Sequence, residues 1–516
     1  MCGIVGILRT NSGPPVDQGR LIEMRDVLRH RGPDGAGLVI SGPIGLGHRR
    51  LAIVDVEGGQ QPMSNEDGTV WITFNGEIYN HLALRPGLEA RGHKYKTQSD
   101  TETILHLYEE EGERCVESLS GMFAFAIWDE RKGRLLLARD RLGIKPLYYT
   151  VTDEELLFAS EIKALLSGGL SPRLNDHVLA EYLATRFVSG AETLFHGVKK
   201  LEAGRTMTWT RDEGLRERRY WSIPPVAEDD GKTFRRRVID LRSRIGEAVK
   251  SHLMSDVPLG LFLSGGLDSS GLLGVMSQIV RDPVRTFAVG FAEREGNELA
   301  FARLVARRAG AVHRETLVSP QEFFNELPNL VWHEDEPLAF PSSVPLYFLS
   351  RLAQESVKVV LTGEGADELF LGYNRYRVTE WNERLGRAYS SVLPGFLRAG
   401  VRGLVPHLPK ALRRYAERSF LGLAPGARSL FCENFAVFGE AQRERLVDPQ
   451  LLLAARDPHG EDMRLYGEAE GSALDRMSRT DLQAYLVRLL MKQDRMSMAA
   501  SIESRVPFLD HELVEQ

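Results

Sequence analysis

The second residue of the chain is a cysteine that could serve as a nucleophile with its own base. Removal of the initiator methionine, which a small residue at position 2 permits, would leave a free α-amino group beside the Cys2 thiol. The α-amino pKa of about 7.7 to 8.0 lies close to the thiol pKa of about 8.5, so proton transfer between them is feasible near neutral pH. Cys2 is therefore a candidate nucleophile, although a cysteine at this position is more often incidental.

Polar residues farther along could bind the substrate of such a nucleophile. Asn75 and Gly76 follow an apolar run, so a side-chain amide and an unobstructed backbone N–H could face one point and stabilise an oxyanion. Asn-Gly is also a frequent strand-ending turn. Arg50 could bind a carboxylate and Asp100 an ammonium group, but each alone is more typical of a solvated surface charge. These residue types thus permit, without establishing, the hydrolysis of a zwitterionic substrate.

A second candidate site is the glycine-rich loop Leu-Ser-Gly-Gly-Leu-Asp-Ser-Ser at 263–270. It lies between an apolar stretch that predicts a strand and a helical pattern that begins at Ser269. Exposed backbone N–H groups and a helix N-terminus together form a cradle for a polyphosphate. The loop also carries Asp268, a candidate magnesium ligand, at the carboxyl end of the predicted strand, where such sheets bind ligands.

An acidic loop at 362–368 follows another predicted strand and offers Asp367 as a second magnesium ligand. Its alternative interpretation is a polar helix start. Two other types of nucleotide site are not supported. Val226 stands where a Walker A loop needs its first glycine, and Glu368 stands where a dinucleotide fingerprint needs its third. The 263–270 loop therefore remains the predicted phosphate site.

The elements that must position these residues fall into two groups. The first two hundred residues alternate short apolar or β-branched runs with two helical patterns, at 20–28 and 101–110, which predicts an α/β sandwich. Strands that alternate with helices follow, which predicts a doubly wound parallel sheet, and 375–480 is expected to be mostly helical. We predict domains at 2–209 and 236–516, joined by a charged, proline-containing linker at 210–235.

Composition limits the class of protein. With 516 residues the chain is too long for one hydrophobic core. Its net charge is −6, and its charged residues do not cluster into acidic or basic blocks of the kind that favour nucleic acid or an anionic membrane as partner. The three cysteines are scattered, and no apolar run reaches the roughly 18 residues that span a bilayer. We expect a cytoplasmic enzyme that acts on small molecules.

Six segments in the first domain together resemble the class II glutamine amidotransferase domain. They are Cys-Gly-Ile-Val-Gly at 2–6, His-Arg-Gly-Pro-Asp at 30–34, Arg-Leu-Ala-Ile-Val-Asp at 50–55, Asn-Gly-Glu-Ile-Tyr-Asn at 75–80, Gln-Ser-Asp at 98–100 and Gly-Met-Phe-Ala-Phe at 121–125. The resemblance implies an αββα sandwich of the N-terminal-nucleophile type, in which Cys2 attacks the side-chain amide of glutamine and releases ammonia. It further implies an oxyanion hole formed by Asn75 and Gly76, and glutamine binding by Arg50, Ile53, Glu77 and Asp100.

The second half resembles the synthetase domain of asparagine synthetases. The resemblance rests on the 263–270 loop, which is similar to the pyrophosphate loop of ATP pyrophosphatases, and on the segments at 362–368, 492–495 and 505–510. It implies an adenine nucleotide alpha hydrolase-like sheet, ATP as substrate, Mg²⁺ held by Asp268 and Asp367, and AMP and diphosphate as products. The implied nucleotide-binding residues are Leu263, Ser264, Gly265, Gly266, Asp268, Ser269, Val289, Thr362 and Gly363.

Some implied roles are less defined. Glu364 is assigned to the acceptor side of the active site. Some relatives carry a catalytic lysine where Arg495 stands; because Lys492 lies three residues away, either side chain could face the adenylate if both are on one helix. The relatives also continue with further helices after the 505–510 segment, so a truncated form is expected.

The expected reaction joins aspartate, glutamine and ATP to give asparagine, glutamate, AMP and diphosphate, with ammonia moving between the domains through an apolar tunnel. Two alternatives remain at this point. The acceptor could be another carboxylate, such as a sugar acid or a peptide, or the chain could be an inactive scaffold. A homodimer is the assembly that we keep open.

Overall fold

The first part of the chain forms two six-stranded antiparallel sheets in the computed structural model, which describes residues 2–11, 13–226, 231–291 and 297–516. In chain order the strands are β1 Gly3–Arg9, β2 Gly35–Ser41, β3 Ile44–Arg50, β4 Met63–Ser64, β5 Val70–Ile78, β6 Gly121–Asp129, β7 Arg134–Arg139, β8 Tyr148–Val151, β9 Glu155–Ala159, β10 Lys199–Lys200, β11 Arg205–Thr210 and β12 Gly214–Arg219. One sheet has the order β10-β8-β9-β1-β3-β2 and the other β12-β11-β7-β6-β5-β4.

The two sheets pack face to face because their strands are apolar on both faces. In β1, Ile4 and Leu8 enter the core between the sheets, whereas Val5 and Ile7 face the helices outside. This alternation follows from the two-residue period of a strand. The helices of this part are α1 Gln18–Asp26, α2 His81–Ala90, α3 Asp100–Glu111, α4 Cys115–Ser118, α5 Ile162–Ser167 and α6 Leu179–Thr185.

Helices cover the outer face of each sheet. Leu21 of α1 and Leu165 of α5 pack on the first sheet, and Ile104 of α3 packs on the second. The layers therefore run helix, sheet, sheet, helix, which confirms the predicted αββα sandwich. The helices predicted at 20–28 and 101–110 correspond to α1 and α3.

The range 210–235, expected to be a linker, contains regular structure at both ends. Strand β12 pairs with β11 along its whole length, and helix α7 begins at Phe234. The sequence concealed β12 because it is an edge strand, whose side chains are mostly exposed and charged. Residues 227–230 of the expected linker lie outside the described residues. The division into 2–209, 210–235 and 236–516 stays a prediction.

The second part is built on a five-stranded parallel sheet with the order β15-β14-β13-β16-β17, where β13 is Leu259–Phe262, β14 Arg285–Phe291, β15 Val312–Val318, β16 Val359–Leu361 and β17 Glu503–Arg505. Its helices are α7 Phe234–His252, α8 Leu267–Ile279, α9 Leu299–Arg308, α10 Pro320–Glu334, α11 Ser343–Gln354 and α12 Ala366–Leu369. Leu261 packs with α8 on one face and Phe262 with α11 on the other, so the sheet is doubly wound as predicted.

The remaining segment is helical, as expected for 375–480. Its helices are α13 Asn374–Val392, α14 Gly395–Leu404, α15 Lys410–Glu417, α16 Glu440–Leu446, α17 Pro449–Ala454, α18 Gly460–Glu468, α19 Ala473–Gln483, α20 Tyr485–Met498 and, after β17, α21 His511–Val514. In the part of the chain that the structure describes, no helix combines the length and the apolar character needed to cross a membrane.

The two parts share apolar cores. Leu51 and Ile53 of the sandwich cluster with Val359 and Met498 of the second part. A larger shared cluster joins Met122 to several residues of α19 and α20. These shared cores hold the segment after β3 and strand β6 against the second part, and they set the relative position of the two candidate sites.

Candidate active site

Cys2 immediately precedes β1 and is buried. Its backbone N–H donates a hydrogen bond to Oδ1 of Asn75 at 2.8 Å. Burial raises the pKa of the Cys2 thiol, so a nearby base would have to accept the thiol proton before the sulfur could act as a nucleophile. Met1, whose removal the sequence predicts, lies outside the described residues.

Asn75 and Gly76 lie within strand β5, so the alternative interpretation as a strand-ending turn is wrong. Asn75 is fully buried, and its side-chain Nδ2 has no hydrogen-bond partner among the residues that the structure describes. A buried donor without a partner is costly in a folded protein unless a ligand supplies the acceptor. At Gly76 a Cβ would collide with the carbonyl oxygen of Met122, so only glycine fits. The strand therefore presents an unused amide next to the Cys2 backbone.

The four predicted glutamine-binding residues, Arg50, Ile53, Glu77 and Asp100, line one cleft together with Cys2. The Arg50 guanidinium donates hydrogen bonds to three backbone carbonyls, those of residues 54, 55 and 56, at 3.2, 2.6 and 2.8 Å. Neutral carbonyls hold the guanidinium in place but leave its positive charge uncompensated. Arg50 is therefore positioned to attract an anionic group into the cleft.

Asp100 and Glu77 bring two carboxyl groups to the same cleft. The Ile78 N–H donates to Oδ2 of Asp100 at 2.8 Å. Burial raises the pKa of Asp100 to about 6, although that hydrogen bond opposes the shift. Burial and the charge of Glu503 raise the pKa of Glu77, and within the described part of the chain its Oε2 has no hydrogen-bond partner. The cleft thus carries both signs of charge around a buried thiol.

The glycine-rich loop connects β13 to α8, which begins at Leu267, two residues earlier than the pattern predicted. The Ser264 hydroxyl accepts the Gly266 N–H at 3.1 Å and lies 3.0 Å from the Ser269 hydroxyl, and these contacts hold the loop curled. Gly265 has a φ of +83°, and a Cβ there would meet the backbone nitrogen of Ala302 at 2.5 Å. The first turn of α8 therefore opens toward solvent with its N–H groups available.

The acidic loop lies directly against the glycine-rich loop. An ideal Cβ on Gly363 would be 3.1 Å from Cβ of Asp268, and the Thr362 N–H bonds the Arg505 carbonyl at 2.9 Å. In the sheet, β13 lies between β14 and β16, so the loops that follow β13 and β16 both leave the carboxyl edge at the topological switch point. This crevice is where doubly wound sheets bind ligands.

The carboxylates of Asp268 and Asp367 influence each other across this crevice. Burial raises the pKa of Asp268, and the charge of Asp367 raises it further. Leu263, which is buried, directly follows β13, and Val289, which is partly buried, lies in the adjacent strand β14. The Leu263 N–H bonds the Phe287 carbonyl of β14 at 2.8 Å. The structure thus brings together the predicted nucleotide residues from β13, β14 and β16.

Lys492 and Arg495 lie on the same helix, α20, but meet different partners. Nζ of Lys492 is 3.6 Å from a carboxylate oxygen of Glu364 in the acidic loop. The Arg495 guanidinium donates to the Tyr148 hydroxyl of the sandwich at 2.6 Å. Helix α20 therefore places Lys492 beside the acidic loop and Arg495 against the first domain.

Two residues at the sites received no role from the sequence. Arg31, fully buried, donates to the Cys2 carbonyl at 3.1 Å and forms an ion pair with Asp494 of α20 at 2.8 Å. Gln61 lines the Cys2 cleft and accepts the Phe74 N–H at 2.7 Å. The 30–34 motif could have drawn attention to Arg31, whereas Gln61 follows no pattern that would distinguish it.

Comparison with known proteins agrees with this arrangement. Residues 1–221 match the family model described as a glutamine amidotransferase domain, and residues 240–516 match the one described as asparagine synthase. Glutamine-hydrolyzing asparagine synthetase 1 of Bacillus subtilis (strain 168) is 38% identical over 99% of this chain and 79% of its own length. The synthetase numbered 3 from the same organism is 33% identical over 100% of this chain and 80% of its own length. The chain therefore belongs to the family of glutamine-hydrolysing asparagine synthetases.

Proposed function

We propose that glutamine binds in the Cys2 cleft with its carboxylate on Arg50 and its ammonium group on Asp100. The Cys2 thiol attacks the side-chain amide carbon, and its proton passes to the α-amino group that removal of Met1 would free. Asn75 Nδ2 and the Gly76 N–H stabilise the oxyanion. The C–N bond then breaks, ammonia leaves, and water hydrolyses the thioester to glutamate. Ile53 and Glu77 complete the cleft wall.

The observation that carries this proposal is the pairing of a buried thiol with a buried, unpartnered amide in a cleft of mixed charge. Asn75 Oδ1 already accepts the Cys2 N–H, so the amide is oriented with Nδ2 free. A preorganised donor of this kind is typically worth about 10² to 10³ in rate. The arrangement is costly for stability alone, because an unpaired buried donor destabilises the folded chain.

At the second site we propose that ATP lies across the switch-point crevice. Its polyphosphate contacts the loop that contains Ser264, Gly265, Gly266 and Ser269, and its nucleoside lies near Leu263, Val289, Thr362 and Gly363. A carboxylate oxygen of aspartate attacks the α-phosphorus and expels diphosphate. Ammonia then attacks the acyl-adenylate carbon and expels AMP, which leaves asparagine. This chemistry depends mainly on positioning and electrostatics.

Asp268 and Asp367 fit a magnesium site. Each has a raised pKa, first because of burial, and Asp268 also because of the neighbouring charge of Asp367. Two carboxylates that repel each other provide the hard oxygen ligands that Mg²⁺ prefers. When bound, Mg²⁺ would neutralise phosphate charge. We propose these two residues as its ligands.

We assign the acceptor side of the second site to Lys492 and Glu364. Their contact places a cation on the loop that follows β16, where the charge of an adenylate would develop. Arg495 is proposed instead as a residue that positions α20, since its described hydrogen bond goes to Tyr148. The names of the relatives do not favour another acceptor carboxylate or an inactive scaffold.

We further propose that ammonia travels along the apolar cluster between the domains. Ile53 and Leu51 line the Cys2 cleft and also pack with Val359 and Met498 of the second domain. An apolar path favours neutral ammonia over ammonium, because burying an unpaired charge is costly. A cytoplasmic location is proposed as well, and it is supported by three free, buried cysteines at positions 2, 115 and 432. The homodimer stays a prediction.

The proposal is tested by Cys2→Ser in the full-length protein. Diphosphate and asparagine are measured with aspartate and ATP, first with glutamine and then with ammonium chloride as nitrogen donor. We expect the glutamine-dependent rate to fall by at least about 10³-fold, because a serine in this position lacks the thiolate chemistry, and the ammonia-dependent rate to stay within twofold. Retention of the glutamine-dependent rate would exclude Cys2 as the nucleophile. Failure of aspartate to release diphosphate with either donor would exclude the second half-reaction.

A further inference from the structure

A second cluster of potential ligands lies on the outer side of the sandwich, formed by side chains to which neither half-reaction assigns a role. It consists of Glu66, His93, His106 and Glu109, which we call the outer cluster. Glu66 lies in the turn between β4 and β5, His93 follows α2, and the other two lie on α3. Three separate segments therefore converge on one point.

The ligand atoms of the outer cluster face one another at short range. Nδ1 of His106 is 3.1 Å from a Glu109 oxygen and 3.7 Å from a Glu66 oxygen. Nδ1 of His93 is 3.6 Å from Glu109 and 3.8 Å from Glu66. A tetrahedron with bonds of about 2.0 to 2.2 Å has edges of about 3.3 to 3.6 Å, so these separations match those around a four-coordinate zinc ion. Both imidazoles present the same nitrogen to the centre.

The outward nitrogens of both imidazoles meet further carboxylates. Nε2 of His93 is 3.1 Å from Glu110, and Nε2 of His106 is 3.7 Å from Glu102. At the His93 distance such a carboxylate fixes the tautomer of a metal-bound histidine and leaves the inner nitrogen as a lone-pair donor, whereas the Glu102 oxygen lies beyond hydrogen-bonding distance of His106. With that tautomer, each inner nitrogen would point its lone pair at carboxylate oxygens. A cation that lies between them, either a proton on an imidazole or a metal ion, would remove this repulsion.

The ligand carboxylates are oriented as well. The Asn65 side chain donates to Oε1 of Glu109 at 2.7 Å, and the Lys94 N–H donates to Oε1 of Glu66 at 3.0 Å. His106 is almost fully buried, with 1% of its side chain exposed, and its ring centroid lies 4.6 Å from that of His93 with the two ring planes tilted by 36°. Hydrogen bonds and ring contacts of this kind fix the orientation of the ligand side chains before a metal ion binds.

We propose that the outer cluster is a structural Zn²⁺ site that ties the β4–β5 turn and the loop after α2 to helix α3. All four positions around the ion would be filled by the protein, which distinguishes a structural site from a catalytic one. The N-terminus of α3 carries Asp100 into the glutamine cleft. Metal binding would therefore stabilise the element that holds one wall of that cleft.

Another group, Cys432, His459 and Asp462, also has its ligand atoms within 4.8 Å of one another. Counting only described residues, it offers three ligands rather than four, and neither ring nitrogen of His459 has a hydrogen-bond partner among them. The oriented second contacts that characterise the outer cluster are therefore missing from His459. This group serves as an internal control for the location of any bound zinc.

The test measures zinc directly in the full-length protein without an affinity tag. The protein is stripped with a chelator, incubated with zinc chloride, dialysed and analysed by plasma mass spectrometry, and its melting temperature is recorded with and without zinc. We expect about one zinc ion per chain and a higher melting temperature, because a ligand that binds only the folded state stabilises it. We expect His93→Asn to lose both effects.

Four variants decide the location. Glu66→Gln changes a partly exposed side chain in a turn, so it should fold normally while it also loses zinc, and it stands in if His93→Asn does not fold. His196→Asn, at an exposed histidine of the same domain, and Cys432→Ser should both keep the full zinc content. Wild-type protein without stoichiometric zinc would overturn the proposal. Zinc that persists in both outer-cluster variants, or that disappears in Cys432→Ser, would also overturn it.

Discussion

At the scale of single residues, Asp100 connects burial with substrate binding. Its carboxylate lines the cleft of Cys2, and burial raises its pKa to about 6. Above that pH the group is charged and can hold the ammonium of glutamine, whereas below it the group becomes neutral. The affinity for glutamine should therefore depend on pH in the weakly acidic range.

We predict that glutamine binding to the Cys2→Ser variant weakens by about tenfold for each pH unit below 6, because one proton must leave Asp100 before the substrate binds. Titration calorimetry between pH 5 and 8 measures this without turnover. In a second variant that also carries Asp100→Asn, binding should be weak throughout and lose the steep decline. A constant affinity from pH 5 to 8 in Cys2→Ser would show that Asp100 does not contact the ammonium group.

Residue types alone only permitted the first site. The resemblance to the class II glutamine amidotransferase domain assigned the roles of Cys2, Arg50 and Asp100, and the structure places all three around one cleft. The contacts of Gln61 and Arg31 could not be foreseen, because they depend on which strands and helices are neighbours.

At the scale of elements, the loop after β13 shows why glycine is needed at one position. Gly265 combines a φ of +83° with close packing against α9, where a Cβ would lie 2.5 Å from the Ala302 nitrogen and 2.7 Å from Cβ of Phe301. A side chain there is strained in its backbone and must also push α9 away. The curvature of the phosphate loop depends on both constraints.

We predict that Gly265→Ala lowers ammonia-dependent diphosphate release by at least about 10²-fold, since displacement of a positioning loop by an ångström has an effect of this size. Glutaminase activity, which belongs to the other domain, should change less than twofold. Gly274→Ala is the matched control: it lies within α8 with open space around it and should leave both rates unchanged. Equal loss of both activities in Gly265→Ala would indicate misfolding rather than a local effect.

At the scale of the whole molecule, Arg31 links the two sites. One of its guanidinium nitrogens bonds the Cys2 carbonyl, another pairs with Glu161 at 2.8 Å, and a third with Asp494 of α20 at 2.8 Å. Helix α20 also carries Lys492, which contacts Glu364 at the second site. A displacement of α20 would therefore change the geometry of both sites.

We predict that Asp494→Asn lowers the free energy of unfolding by about 3 to 5 kcal/mol, because removal of one partner leaves the other charge buried. We also expect the ratio of glutamate to asparagine produced to exceed one, because α20, which connects the two sites, is no longer held by its ion pair with Arg31. Denaturant unfolding and product quantification measure the two effects. Glu89→Gln, in the surface pair with Arg85, should change stability by less than about 0.5 kcal/mol. If the ratio of glutamate to asparagine stays at one in Asp494→Asn, the Arg31–Asp494 ion pair does not couple the two reactions.

The sequence by itself predicted an α/β sandwich followed by a parallel sheet, because strand and helix periods are local properties that runs such as that of β1 and the helical pattern of α3 display. The αββα order of layers and the roles of the site residues came from the resemblance to the class II glutamine amidotransferase domain and to the synthetase domain of asparagine synthetases. The glycine-rich loop was recognisable because the sharp turn and the helix start occur within a few consecutive residues. Edge strand β12 was missed because its exposed, charged side chains lack an apolar face.

Only the tertiary structure decided what distant residues do to one another. Lys492 and Arg495 were equivalent in the sequence, and the packing of α20 between the domains separated their partners. The outer cluster likewise joins residues from three segments, and no spacing rule links position 66 to position 109. Contacts of this kind depend on the relative placement of whole elements, which is set by the cores that they share rather than by any local pattern.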